Sequence, residues 1–249
     1  MFDTLKNTFK DLKIDSHSGK FFADKSYKYD VFCYMVQYIV NNSNGGTFNY
    51  NYHRSNVERY TVEKFTLNPD SDGNLNFMNE TLNLLEFAKL IKNNGFVYEI
   101  TSSNVLKFIS QSMENAYIVQ YMIAYYTFKN SNLLVEYTNY VKCSDVSRKK
   151  GYLNELYSKI CELSPSVEEE GTVWAKLFTK YPVMILGYAN NEYAVSRELN
   201  VQKKKMNGFS LSANVNNPKT RPEFYKTNDY SEKFDINYVK SFLKPILIN

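Results

Sequence analysis

Histidine and cysteine are scarce in this chain of 249 residues, which contains two of the former and three of the latter. Cys33, Cys143 and Cys161 are odd in number and far apart, which argues against a disulfide framework and favours a reducing cytoplasm. His17 and His53 have no cysteine or acidic residue at the spacing of metal ligands. We therefore predict a cytoplasmic protein without a metal site.

Long apolar runs and the short motifs of common enzymes are also missing. No run approaches the roughly 18 apolar residues that span a bilayer. The segment Met1–Lys13 carries Asp3 and Asp11, where a signal peptide has an unbroken apolar stretch. No GxSxG, Walker, GxGxxG or CxxC motif occurs. These absences predict no membrane partner and make an enzyme the less favoured interpretation.

Aromatic residues are abundant, with 22 Tyr and 17 Phe. Most of them fall on the inward stripes of predicted helices, so core packing explains them better than stacking on unpaired bases. The cluster of Tyr50, Tyr52 and His53 beside Arg54 is the one that we expect to be exposed. The formal charge of +4 is mild, so the choice of partner depends on where the cations lie.

In the first part of the chain, the spacing of apolar residues predicts a helical module that ends in a small β element. Helices are expected over Asp3–Leu12, Tyr27–Val40 and about Asn79–Asn93, whereas residues 44–76 carry no clear pattern. Asn94-Gly95 supplies a left-handed helix end, and a strand, Phe96–Thr101, follows. This order of helix, tight turn and strand resembles the end of a winged-helix module, and winged helices mostly bind DNA.

A second helical module is expected to follow. Helices are predicted at Ser102–Met113, Ala116–Phe128, Leu133–Lys142, Asp145–Ile160, behind Ser166, and at Ile236–Leu243. Strands Val183–Ala189 and Glu192–Leu199 flank Asn190-Asn191, a pair suited to a hairpin turn. We predict an α+β, mainly helical chain with two winged-helix-like units and small β-hairpins. The units comprise residues 1–110 and residues 111–249, the second including a basic loop and a terminal helix.

The best candidate for a recognition helix is Asp145–Ile160, expected to be capped by Ser144. Its first half carries Arg148, Lys149, Lys150 and Tyr152, and its second half carries an apolar stripe. A helix-turn-helix places such an N-terminal half in the major groove. Arg148 suits guanine, and Lys149 and Lys150 suit phosphates. Gly151 predicts a break in the helix, and the alternative interpretation is a solvated helix face.

A second basic cluster follows the predicted hairpin. Loop cations beside Ser and Asn suit phosphate backbones, although basic triplets also occur on ordinary surfaces. The DNA-contacting candidates in this cluster are Lys203, Lys204, Lys205, Lys219 and Arg221.

Two winged-helix-like units that end in a Lys-rich loop resemble the DNA-recognition regions of type II, especially type IIS, restriction enzymes. The resemblance lies in this layout and in Tyr98–Thr101, with the sequence YEIT, and extends over roughly Tyr27–Tyr225. It implies duplex DNA as a partner, with a nuclease or another protein subunit as a second one. The implied role is target recognition in a restriction or defence system, or regulation. The family's catalytic residues match no position here.

Two alternatives stay open. The first is a restriction-type endonuclease that requires Mg²⁺. Asp70 followed by Glu86 and Lys89 approximates its Asp…Glu-x-Lys pattern, but the spacing is Glu-x-x-Lys and the pair lies on a predicted helix. The second is a protein-interaction module, since winged helices also bind proteins.

Overall fold

The architecture comes from a computed structural model, which describes residues 1–16, 29–65, 76–143, 145–164 and 235–247. Within these ranges the chain is mainly helical with one small antiparallel sheet, as predicted. The helices are α1 Phe2–Phe9, α2 Tyr29–Asn42, α3 Tyr50–Phe65, α4 Asn76–Phe87, α5 Ser103–Gln111, α6 Met113–Asn130, α7 Leu134–Lys142, α8 Val146–Leu163 and α9 Ile236–Leu243. The strands are β1 Thr47–Asn49, β2 Ile91–Asn94 and β3 Val97–Ile100.

Helix α6 is the centre of the part of the chain that the structure describes. Its residues from Asn115 to Ala124 are all buried, and α1, α2, α5 and α9 pack against it. We predicted a single inward stripe on this helix, containing Tyr117, Tyr121, Ala124, Tyr125 and Phe128. All of these residues except the half-buried Tyr125 are buried. The stripe was nevertheless too narrow, because a helix enclosed by neighbours on several sides needs no solvent-facing polar side.

The small sheet joins the segment after α2 to the hairpin after α4. Its strand order is β1-β3-β2, and both pairs are antiparallel. Phe48 of β1 is fully buried, opposite Tyr98 of β3. The patternless residues 44–76 thus contain β1 and α3, and the side chain of Asn49 begins α3 by accepting a hydrogen bond from the Tyr52 amide, 3.0 Å away.

The prediction of one helix over Asn79–Asn93 was wrong at its end. Helix α4 stops at Phe87, and Lys89 adopts a left-handed φ of 58°. The amides of Lys89 and Leu90 then bond to the carbonyls of Glu86 and Leu85, which is the Schellman pattern. Gly95, with φ 84°, is therefore not a helix cap and instead forms the β2–β3 turn.

Asn115 ties the C-terminal helix to the centre. Its amide nitrogen donates to the Phe108 carbonyl at 3.0 Å, and its amide oxygen accepts from the Tyr238 hydroxyl at 2.9 Å. Beside it, the Glu114 carboxylate accepts from the Asp235 amide at 2.9 Å. Helix α9, which was predicted with the bounds that it has, is therefore held on α6 by polar contacts as well as by its buried Val239 and Leu243.

Buried apolar residues from both predicted units, from Leu5 to Leu243, form one cluster. The boundary near residue 110 and the two winged-helix-like units stay predictions. In the part of the chain that the structure describes, no helix is both long and apolar enough to cross a membrane.

Helix α8 is continuous from Val146 to Leu163, so Gly151 does not break it as predicted. Asp145, rather than the predicted Ser144, caps this helix by accepting a hydrogen bond from the Arg148 amide at 2.9 Å. Ser144 itself lies outside the described residues.

Replacing Gly151 by alanine is expected to raise the free energy of unfolding by about 0.5–1 kcal/mol. A Cβ atom built there meets nothing within 4 Å, and alanine loses less backbone freedom than glycine in a helix interior. Urea denaturation of the two proteins measures the difference, and an unchanged or lower stability would show that the position is not an unhindered helix interior.

Candidate nucleic-acid interface

Helices α7 and α8 follow each other with three residues, 143–145, between them, and they pack against each other. The Lys159 ammonium donates a hydrogen bond to the Glu136 carboxylate across the pair. The Glu136 side chain is only 12% exposed, and this bond lowers the pKa of its carboxyl group despite the opposing effect of burial. The same bond raises the pKa of Lys159. The ion pair thus helps to hold the two helices together.

The two halves of α8 have different environments. Leu156 and Ile160 in the second half are buried, and Tyr152 is half-buried and packs against the core. Arg148, in the first turn, is exposed. Residues 146–152 contain three cations and no acidic residue. Anchoring by the second half therefore leaves Arg148, in the first turn of the helix, at the surface.

The structure describes the positions of only some of the predicted site residues. Arg148, Lys149 and Lys150 lie on the first two turns of α8, and Tyr152 follows at the edge of the buried half. The second basic cluster, Lys203–Lys205 with Lys219 and Arg221, lies outside the described residues, as do the predicted hairpin at 183–199 and Asp70. Both clusters stay predictions.

Helix α4, which precedes the hairpin, is poorly suited to reading DNA. Among residues 77–87 only Asn79 is exposed. The helix also contains Glu80 and Glu86 but no Lys or Arg. A helix with so little free surface and no cation cannot fill a major groove or neutralise phosphates. Glu86, a residue of the endonuclease alternative, is half-buried. The described residues contain no group of three His, Cys, Asp or Glu that could hold a metal.

The predicted exposed aromatic cluster is divided between core and surface. Tyr52 is 77% exposed, whereas Tyr50 is half-buried and its pKa is raised, chiefly by burial. His53 stacks on Phe48 with ring centres 5.3 Å apart and meets Tyr52 edge-on at 5.0 Å. Its buried Nδ1 atom has no hydrogen-bond partner among the described residues. A row of rings therefore leads from the core to Tyr52.

A second exposed ring, Phe96, was missed as a surface candidate because we assigned it to the start of a strand. It occupies the β2–β3 turn after Gly95 and is 66% exposed. Gly95 has a positive φ and Phe96 does not, and a positive φ at only the first of two turn residues is the type II′ pattern, which favours glycine there. The pair Gly95-Phe96 was the sequence signal that could have placed this ring at the tip of a hairpin.

Compared with models of protein families, with curated proteins and with solved structures, the chain matches none.

Proposed function

We propose that the chain binds duplex DNA through the first half of α8. The observation that carries this proposal is the division of α8 into a half that is anchored by the buried Leu156 and Ile160 and an acid-free half that contains Arg148, Lys149 and Lys150. The short connection between α7 and α8 and the packing of the two helices support this proposal, because a helix-turn-helix holds its recognition helix in the same way.

Each cation has a role in this proposal. Arg148 is exposed beside the Asp145 cap and can offer its guanidinium to a guanine edge. Lys149 and Lys150 hold phosphates, and the positive end of the α8 dipole favours the same anions. Tyr152 flanks the groove because its packing against the core keeps it at the edge of the contact.

The N-terminal unit has a different role in the proposal. The order α2, β1, α3, α4, β2 and β3, with sheet order β1-β3-β2, supports a winged-helix-like arrangement. The burial of α4 and its acidic residues argue against base readout by that helix. We propose that this unit supports the fold while α8 provides the duplex contact. A task in restriction, defence or regulation rests on the resemblance alone.

The test is binding to a random-sequence duplex at low salt. The triple variant Arg148→Ala, Lys149→Ala and Lys150→Ala is expected to bind about ten- to a hundredfold more weakly than the wild type. The matched control removes three other exposed cations, Lys6, Lys10 and Lys13, and is expected to bind within about twofold of the wild type. Equal losses in both variants would show unspecific attraction, and an unchanged affinity in the first would refute the role of α8.

A further inference from the structure

We infer that the chain has a second nucleic-acid surface, separate from α8, on which unpaired bases stack. The surface, called here the aromatic tip, consists of the exposed rings of Tyr52 and Phe96 with the exposed cations Arg54 and Lys92. Its ligand class is single-stranded nucleic acid. The inference stands independently of duplex binding by α8.

The ring of Tyr52 is held in place by aromatic residues that lie between it and the core. Phe48 is fully buried, His53 stacks on it with an angle of 8° between the rings, and Tyr52 meets His53 at 89°. The backbone of Tyr52 is fixed by its bond to the Asn49 side chain. A ring that is positioned before binding loses little freedom when a base stacks on it, so more of the stacking energy becomes affinity.

Phe96 is fixed at the same end of the sheet. Its carbonyl accepts a hydrogen bond from the Tyr50 amide at 2.9 Å, and the next residue, Val97, pairs with Asn49. The hairpin turn is thus joined to the beginning of α3. Two mostly exposed aromatic residues therefore lie on neighbouring segments whose backbones are bonded to each other.

The charge around the aromatic tip suits phosphates. Residues 43–57 and 87–98 contain no Asp or Glu, while Arg54, Lys89 and Lys92 are exposed. Glu99 lies opposite Lys92 on the central strand β3, and Glu58 lies one helical turn beyond Arg54. The three exposed cations outnumber these two neighbouring carboxylates. The phosphate backbone of a nucleic acid is attracted to these cations, whereas a surface rich in acidic residues would repel it.

The other exposed side chains favour bases over an apolar protein face. Asn49, Asn51, Asn93 and Asn94 are exposed on the same segments, and their amides can donate to and accept from base edges. Bases in a duplex cover one another's faces, so rings of this kind are used by proteins that bind unstacked bases. Two isolated rings among amides and cations thus fit a single strand.

The experiment measures fluorescence anisotropy of labelled oligothymidine and oligouridine, each of about 20 nucleotides, which exceeds typical site sizes. Tyr52→Leu and Phe96→Leu retain apolar area but remove the ring. Each is expected to weaken binding of the single strand about tenfold and to leave duplex binding within about twofold. Tyr52→Phe keeps the ring and is expected to bind like the wild type, as is Val135→Ala, which alters an exposed apolar residue on α7.

Each outcome decides the inference. Loss in the leucine variants with retention in Tyr52→Phe supports it, and the tighter of the two oligonucleotides identifies DNA or RNA as the source of the strand. Leucine variants that bind like the wild type, or a wild type that binds neither oligonucleotide at low salt, would overturn it and leave an apolar protein contact as the explanation. The α8 triple variant tested on duplex reports separately on the first proposal.

Discussion

Replacing Asn115 by leucine is expected to lower the free energy of unfolding by about 2–4 kcal/mol. Asn115 is 6% exposed, and its amide joins the end of α5 to the side chain of Tyr238 on α9. Leucine has a similar size but neither a donor nor an acceptor. The buried Phe108 carbonyl would lose its partner, and the cost of a buried polar group without a bond falls on the folded state. Tyr238, which is 40% exposed, would lose the hydrogen bond that joins α9 to α6.

The loss is expected to concentrate at the C-terminal helix. Urea denaturation measures the change in the free energy of unfolding. Relative to the wild type, amide hydrogen exchange in the variant should accelerate more in α9 than in α2. The control is Asn79→Leu, the same replacement at an exposed position of α4, which is expected to change stability by less than about 0.5 kcal/mol. If the Asn115 variant were as stable as the wild type, the bonds to Phe108 and Tyr238 would not hold α9 in place.

Phe48→Ala is expected to destabilise the chain by about 3–5 kcal/mol, the usual cost of removing a fully buried phenyl ring. Phe48 is fully buried, packs near Tyr38 and stacks with His53. The substitution would also remove the ring on which His53 stacks, and His53 in turn contacts Tyr52. We therefore expect weaker binding of a single strand at temperatures where the variant is still folded.

Phe96→Ala is the matched control for stability, because it removes the same ring from an exposed position. Thermal unfolding should show little change for Phe96→Ala, within about 0.5 kcal/mol, and a large decrease for Phe48→Ala. Equal decreases in the two variants would contradict the placement of Phe48 in the core and Phe96 at the surface.

The sequence predicted helices well where their apolar residues repeat along one face. The terminal helix Ile236–Leu243 has its predicted bounds, and α2, α7 and α8 lie within a few residues of theirs. The apolar pattern carries this information because each of these helices has a distinct inner side. Where a helix is enclosed, as α6 is, the same pattern understates how much of it is buried.

The end of α4 could not be read from the sequence. Lysine has no preference for the left-handed conformation that Lys89 adopts, since that conformation brings its Cβ close to the following carbonyl oxygen. Asn94-Gly95 is a strong signal for positive φ, but helix ends and hairpin turns both use it. The choice between them depends on the pairing of β2 with β3, which a local pattern does not contain.

The candidate surfaces were predicted in part. Arg148 was expected to be exposed in the first half of a helix, and it is exposed in the first turn of α8. The ion pair of Glu136 with Lys159 was missed because it depends on how α7 packs on α8. Phe96 was missed as well, since its exposure depends on the hairpin. Both features depend on contacts between secondary-structure elements, which a local sequence pattern does not contain.

The central proposal, that the cations of α8 hold DNA phosphates, is tested most directly by the salt dependence of duplex binding. Affinity would be measured from about 50 to 200 mM salt for the wild type, the Arg148/Lys149/Lys150 triple alanine variant and the Lys6/Lys10/Lys13 control. We expect the logarithm of affinity to fall linearly with the logarithm of salt, with a slope shallower by about 1.8 in the first variant, since the phosphate contacts of Lys149 and Lys150 are lost and each removes about 0.9. The control should keep the wild-type slope. An α8 variant with the wild-type slope, or a wild type that does not bind at the lowest salt, would contradict the proposal.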